Sequence, residues 1–349
     1  MTAPASGPFG VRVSGLLAGL LLLVSGAAYG QGVGVGAFSR MGFDARGVAM
    51  GNALVASPGT DVSPYYNPAL LPTASGQRVA GSAAALKYDR QLQSLEFTTP
   101  VGPTAGVGLG LIHAGVSNID GRNSDGVRTQ TLSTDEFALS LAFGNRFAER
   151  LSVGVGFTLY QSEVVPETSP VRGFGLDLGL AYRVTEQVQV AASVSDLLAK
   201  YEWDTGALNG QSRTDRFPVR LKVGGSYTLL DGRLHLLGEA ESRFVGRDRR
   251  VIDRVIPTSG GPRQEPRTET VLLHTMRGRL GAAYRPVDIL ALRAGLDRIG
   301  VDGASGLRPT GGFGLRQSLG ELDVRLGYAA ALEPYVRTVM HLGTIEIFL

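Results

Sequence analysis

The sequence contains no cysteine. Disulfides, thiolate metal sites and a lipid-modified N-terminal cysteine are therefore excluded, and the fold must hold without staples. It also lacks any run of 18 apolar residues, which excludes a helical membrane span. The most apolar stretch, Leu16 to Val24, reads instead as the core of a signal peptide over residues 1–30. Arg12 precedes it, and Ala28-Tyr29-Gly30 supplies a cleavage site before Gln31. Lysine is scarce, and the net charge of +3 rests almost wholly on arginine. A basic chain can point to nucleic acid, but export removes that partner. Anionic lipid headgroups or a protein are the partners left.

What is abundant is glycine, 49 of 349 residues with no collagen period, together with strict two-residue alternation. Phe137, Leu139, Leu141 and Phe143 alternate with Ala138, Ser140, Ala142 and Gly144; Leu151 to Tyr160 and Gly173 to Tyr182 repeat the pattern. Strand side chains point to opposite faces with period two, so each segment has one large apolar face and one small or polar face. Strands of a soluble sandwich run to about 5–6 residues, whereas a tilted strand needs about 9–11 to cross a bilayer. These segments have the bilayer length. The pattern predicts an all-β fold, a transmembrane antiparallel β-barrel of about fourteen strands over 77–349.

The strands are expected near 77–88, 91–99, 104–116, 134–145, 150–162, 171–183, 186–196, 216–229, 232–245, 271–285, 287–297, 309–317, 321–330 and 338–348. Short turns alternate with loops at 117–133, 198–215, 246–270 and 298–308. That asymmetry puts the short turns and both termini in the periplasm. Phe348 falls on the face opposite Ile345, Ile347 and Leu349, which calls for a bulge or a frayed end. Tyr160, Tyr182, Tyr227, Tyr284 and Tyr328 lie near strand ends and read as an aromatic girdle.

The inward face is lopsided. Gly106, Gly108, Gly110, Ala138, Ser140, Ala142, Gly154, Gly156, Gly173, Gly175 and Gly179 make one wall small. The other carries Arg220, Lys222, Glu239, Glu241, Arg243, Arg277, Arg279, Arg293, Arg316, Asp323 and Arg325. Glu239 and Glu241 can pair across the ladder with Arg220, Lys222, Arg277 and Arg279. Such a network is either a charged translocation path or salt-bridge filling that closes the lumen. Filling is the simpler reading, because buried charges are tolerated only when paired.

Catalytic and metal sites find little support. His235, Glu239 and Glu241 share one strand face, but the i to i+2 spacing is too wide for chelation from a single strand. Ser226 and His235 are inward on neighbouring strands without an orienting acid. Gly32-Val33-Gly34-Val35-Gly36 lacks the Lys-Ser/Thr and the helix of a phosphate loop. The reading is a non-enzymatic protein without cofactor or metal.

Residues 31–73 show no alternation. There, Asp44-Ala45-Arg46-Gly47-Val48-Ala49-Met50-Gly51-Asn52-Ala53, followed by Tyr66-Asn67-Pro68-Ala69-Leu70-Leu71, resembles the opening of PorV/PorQ-type proteins, which are similar to FadL transporters of the bacterial outer membrane. The resemblance implies fourteen strands and an N-terminal hatch, residues 31–76, inside the barrel, with Asn67, Pro68 and Ala69 as its motif. Small residues place the hatch against strands three to six. The resemblance also implies an accessory role in protein secretion of type IX kind, with secretion-system proteins or exported cargo as partners alongside outer-membrane lipid. The docking surface would be loop 246–270, through Arg249, Arg250, Val251, Ile252, Val255 and Ile256, apolar residues rimmed by charge. The alternative is a FadL-like channel for hydrophobic small molecules, which requires an apolar path and a break in one wall strand.

Overall fold

The computed structural model describes residues 35–59, 61–164, 170–204, 213–258, 261–300, 306–333, 336 and 338–349, and of 213 and 247–268 the backbone alone. The signal peptide read over 1–30 lies outside the described residues. Fourteen strands close one antiparallel barrel. They are β1 (Arg78–Ala85), β2 (Arg90–Val101), β3 (Ala105–Arg122), β4 (Arg128–Ala148), β5 (Leu151–Glu163), β6 (Val171–Arg183), β7 (Val188–Leu197), β10 (Val219–Leu229), β11 (Leu234–Thr258), β12 (Gly261–Val287), β13 (Leu290–Ile299), β14 (Arg308–Leu319), β15 (Leu322–Leu332) and β16 (Val339–Phe348). The remaining two, β8 (Lys200–Trp203) and β9 (Arg213–Arg216), form a separate two-stranded sheet between β7 and β10. β1 closes the ring on β16, with Arg78 opposite Phe348 and Ala85 opposite His341.

The alternation drives this closure. Leu139 and Leu141 are each half exposed on the outer face, while Ala138 and Ala142 on either side of them are buried. Leu95, Leu109, Phe157, Leu180, Leu292, Phe313, Leu326 and Ile345 continue the outer apolar band around the ring. A band of that extent is stable only against lipid, and closure pairs every strand edge that lipid could not satisfy.

The turns at one end are short. At one of them Leu230 and Asp231 both have φ of 52° before Gly232 at 84°, the left-handed pair that matches the twist of a tight hairpin. At the other end two expected loops are largely strand. The segment 117–133 continues the β3–β4 ladder up to Arg122 opposite Arg128. The segment 246–270 continues the β11–β12 ladder up to Thr258 opposite Gly261, with one bulge between Ile252 and Arg254. Reading 246–270 as a loop is therefore corrected: Arg249, Arg250, Val251, Ile252, Val255 and Ile256 sit on a strand of a projecting hairpin, and their side chains lie outside the described residues. Such a ribbon satisfies its backbone by self-pairing, and its β-branched residues suit an extended chain.

β16 also differs from expectation. Its registers with β1 and β15 are continuous to Phe348, without a bulge. Phe348 points inward, where the Arg325 guanidinium lies 4.0 Å from its ring centroid. Tyr160, expected in the girdle, is buried inside the barrel, whereas Tyr182 and Tyr284 face outward.

Candidate functional site

The lumen is occupied by residues 37–73. Asp44 caps the short helix α1 (Ala45–Ala49), its carboxylate accepting from Gly47 N at 2.5 Å. After an irregular stretch, Asn67 caps a 3-10 turn over Pro68–Thr73. The Asn67 side chain accepts from Ala69 N at 2.9 Å and donates to Val55 O at 2.9 Å, and to Leu180 O and Ala192 O at 3.4 Å each. One amide thus ties the turn to the rest of the hatch and to the wall strands β6 and β7. Pro68 fits the first helical position because it needs no donor there.

Glycines on the wall let the hatch backbone approach. A Cβ on Gly154 would lie 2.3 Å from Pro68 C, and one on Gly179 would lie 2.1 Å from Asn67 Oδ1. The hatch is not confined to that side. α1 packs on the opposite wall, where Ala45, Val48 and Ala49 cluster with Ala329, Ala331, Met340 and Leu342. A Cβ on Gly295 would sit 2.3 Å from Gly51 N. The hatch therefore spans the lumen from wall to wall, because glycine also recurs on β12 to β15.

The charged wall forms a compact belt. Arg279 bonds Glu239, bonds Glu241 at 2.6 Å and bonds Asp297 at 3.0 Å. Glu241 also holds Arg243, and Arg277 at 3.0 Å. Two expected partners go elsewhere. Arg220 bonds Asp196 at 2.9 Å, and Lys222 donates to the Tyr66 carbonyl at 3.3 Å while standing 6.0 Å from the Tyr65 ring centroid. Glu239 reaches the hatch as well, accepting from Val55 N at 3.1 Å. The belt is thus tied to the hatch and not only to itself.

Arg325 bonds Asp61 of the hatch and, at 3.2 Å, Asp323. Burial raises the Asp61 pKa, but Arg46 and Arg325 beside it outweigh that and hold it below the usual carboxylate value. Arg316 pairs with Asp323 at 2.9 Å. Arg293 faces the lumen near the short turns without an ion-pair partner among the described residues. His235 meets Thr228 at 3.1 Å and Arg285 at 3.5 Å, not Ser226. No cluster of three metal-ligating side chains occurs among the described residues.

Between the hatch and the wall strands β2 to β6 the lumen is aromatic. Phe38, Phe43, Tyr160, Tyr201 and Phe217 are buried in one cluster with Leu92 and Ile112, and Tyr65 packs against it. Sequence reasoning missed the device that builds this cluster. Between Leu176/Leu197 and Leu178/Val194 the β6–β7 register shifts, leaving two β7 residues opposite one on β6. Asp196 there has φ of 62° and Leu198 has 66°. The bulge turns the Asp196 side chain inward to accept from Tyr160 Oη at 2.6 Å and from Arg220. The chain then leaves the wall: Gly173 of β6 faces Lys200 and Tyr201 so closely that a Cβ would lie 2.6 Å from Lys200 O. β7 thus ends early, and the β8–β9 sheet lies on the inner face of β6 behind the notch.

A family model described as "Putative MetA-pathway of phenol degradation" matches residues 71–211. Among solved structures, the Pseudomonas putida toluene transporter TodX is 15% identical with a TM-score of 0.57, over 88% of this chain and 96% of that chain. The CymD monoaromatic hydrocarbon channel is 14% identical with a TM-score of 0.54, over 88% and 96%. A Pseudomonas aeruginosa FadL homologue is 13% identical with a TM-score of 0.54, over 87% and 97%. No curated protein matches the chain. The expected accessory role in type IX-like secretion is overturned by these likenesses, which run to transport channels along nearly the whole of both chains and favour the alternative. At such identities the likeness establishes the fold. The chain shares their fold, a closed antiparallel β-barrel of fourteen strands.

Proposed function

We propose that the protein is a channel for hydrophobic small molecules, with apolar monoaromatic compounds as the first class to test. The observation that carries this reading is the early end of β7. It leaves the upper part of β6, including the outward-facing Phe174, without a β7 partner above Leu176. The aromatic cluster of Phe38, Tyr160, Tyr201 and Phe217 stands directly behind the notch. An apolar solute gains about 25 cal/mol per Å² of surface removed from water, so aromatic side chains behind a lipid-facing notch offer it an apolar surface to bind. The hatch and the charged belt below oppose the flow of water and ions, and the outer band meets outer-membrane lipid. On this reading the protein binds and passes its solute without covalent chemistry.

The test is uptake of toluene by cells or proteoliposomes that carry the full-length protein. Wild type should speed uptake over empty membranes, and a hatch variant, Asn67→Ala with Pro68→Ala, should change that rate while the barrel stays heat-modifiable on gels. Equal uptake with and without the protein would reject the channel.

A further inference from the structure

The short-turn end of the lumen holds a cavity of about 440 Å³, between the hatch and the wall of β11 to β16. Its volume falls in the range of small-molecule sites, about 300–1,000 Å³. Three of its five lining arginines differ in how they are satisfied. Arg46 is spent on neutral oxygens of the hatch: Asp61 O at 2.5 Å, Ser57 Oγ at 2.6 Å and Pro58 O at 3.4 Å. Arg325 holds two carboxylates and covers the Phe348 ring. Arg293 has neither an ion pair nor a hydrogen bond among the described residues.

Arg293 is half-buried on the lumenal face of β13, and its guanidinium lies over Gly314. A Cβ on Gly314 would come within 2.8 Å of Nη2 and 2.9 Å of Nη1, so the glycine opens the space the guanidinium occupies. The carboxylates that line the same cavity further in are committed. Asp61 belongs to Arg325, Asp323 to Arg316 and Arg325, and Glu346 to Arg78 at 2.5 Å. Only Asp288, in the exposed turn at the rim, and Arg285 beside it add further charge. The cavity thus has arginine in excess of free carboxylate, and Met50, Ala291 and Phe348 supply apolar wall.

We infer that this vestibule is an anion site centred on Arg293, taking a single carboxylate or phosphate group from the periplasmic side. A guanidinium presents a planar fork that binds either group through two parallel hydrogen bonds. A half-buried cation is costly when unpaired, and an entering anion removes that cost without breaking an existing pair. The site goes beyond transport and does not depend on it, since it lies beside the hatch at the short-turn end and is present whether or not the lumen conducts.

The probes are sodium benzoate, a carboxylate on an apolar body, and inorganic phosphate, the bare anion. Each is titrated calorimetrically into the full-length protein in detergent. At least one should bind saturably, and Arg293→Gln should weaken it tenfold or more, about 1.4 kcal/mol, while Arg293→Lys retains part of the affinity. Saturation by benzoate alone identifies an organic acid as the ligand class, and saturation by phosphate identifies a phosphate group; either supports the site. Gly314→Ala, which displaces the guanidinium and leaves its charge, should also weaken binding and decides the matter if Arg293→Gln fails to give a heat-modifiable barrel. Absence of saturable binding for both anions, or equal affinity in wild type and in the folded variants, overturns the site.

Discussion

Asn67 is the residue on which the hatch depends most. It is fully buried, and its one amide serves as cap, as internal tie and as bridge to β6 and β7. Asn67→Ala leaves Ala69 N and three carbonyls without that partner, and a buried group left unsatisfied costs about 1–3 kcal/mol. Amide exchange over residues 44–73 should accelerate in this variant, while the barrel strands keep their protection; unchanged exchange would deny the amide its role. Asp61 gives a second check, with a pH sign. Its pKa is lower in the folded protein than its ordinary value, so its bond to Arg325 contributes stability above the usual carboxylate range and loses it as pH falls through the depressed value. Hatch exchange in wild type should therefore rise only on acidification below about pH 4, whereas Asp61→Asn should show the faster exchange at neutral pH. At this scale the sequence is legible only where the alternation holds. Asp297 follows the inward parity of Arg293 and could have been found by counting. Asp196 could not: the parity of Ser193 and Ser195 sends it outward, and only the bulge brings it in.

The elements were easier to read, because a strand that crosses lipid must keep its period throughout. Most of the barrel strands were legible for this reason, the first two being only weakly patterned, and the largest errors lie where lipid ends. Above the bilayer nothing forces a change of face, so the hairpins of β3–β4 and β11–β12 run on past the expected loop starts. The hatch was visible as missing alternation, but its contact with the second wall was not, since glycine on β12 to β15 is interleaved with arginine. The belt on β10 to β13 was half legible. Direct opposition across the ladder gives Glu239 to Arg279 and Glu241 to Arg277, but a long guanidinium also reaches diagonally, so Arg279 holds Glu239, Glu241 and Asp297 together. Glu241 is the hinge of that network. Glu241→Gln would leave Arg243 and Arg277 without their carboxylate, and breaking a buried pair costs about 3–5 kcal/mol, less where lumenal water screens it. Thermal unfolding in detergent should fall clearly below wild type. A stable variant with raised ion conductance would instead mean that the belt conducts.

At the scale of the whole molecule, the proposed transport requires that something move, and the structure restricts what that can be. Among the described residues the barrel wall is hydrogen-bonded around its circumference except above β7, where the β8–β9 sheet stands inside the notch. That sheet is only four residues deep in each strand, so it is the cheapest element to displace. Its inner hold is the packing of Ala199 and Tyr201 against β6. A Cβ on Gly175 would lie 3.5 Å from the Ala199 Cβ, inside the separation of about 3.5–4.5 Å that a disulfide spans. The chain has no cysteine of its own, so the pair Gly175→Cys and Ala199→Cys can form one defined bridge. If the sheet must swing away for a solute to pass between lumen and lipid, the oxidised variant should take up toluene no faster than empty proteoliposomes, and reduction should restore the wild-type rate. Each single-cysteine variant should behave the same in both redox states, which separates locking from any effect of the new side chains. Undiminished uptake in the fully bridged protein would exclude motion of this sheet and move the route to the hatch, where the Asn67→Ala, Pro68→Ala variant reports on it separately.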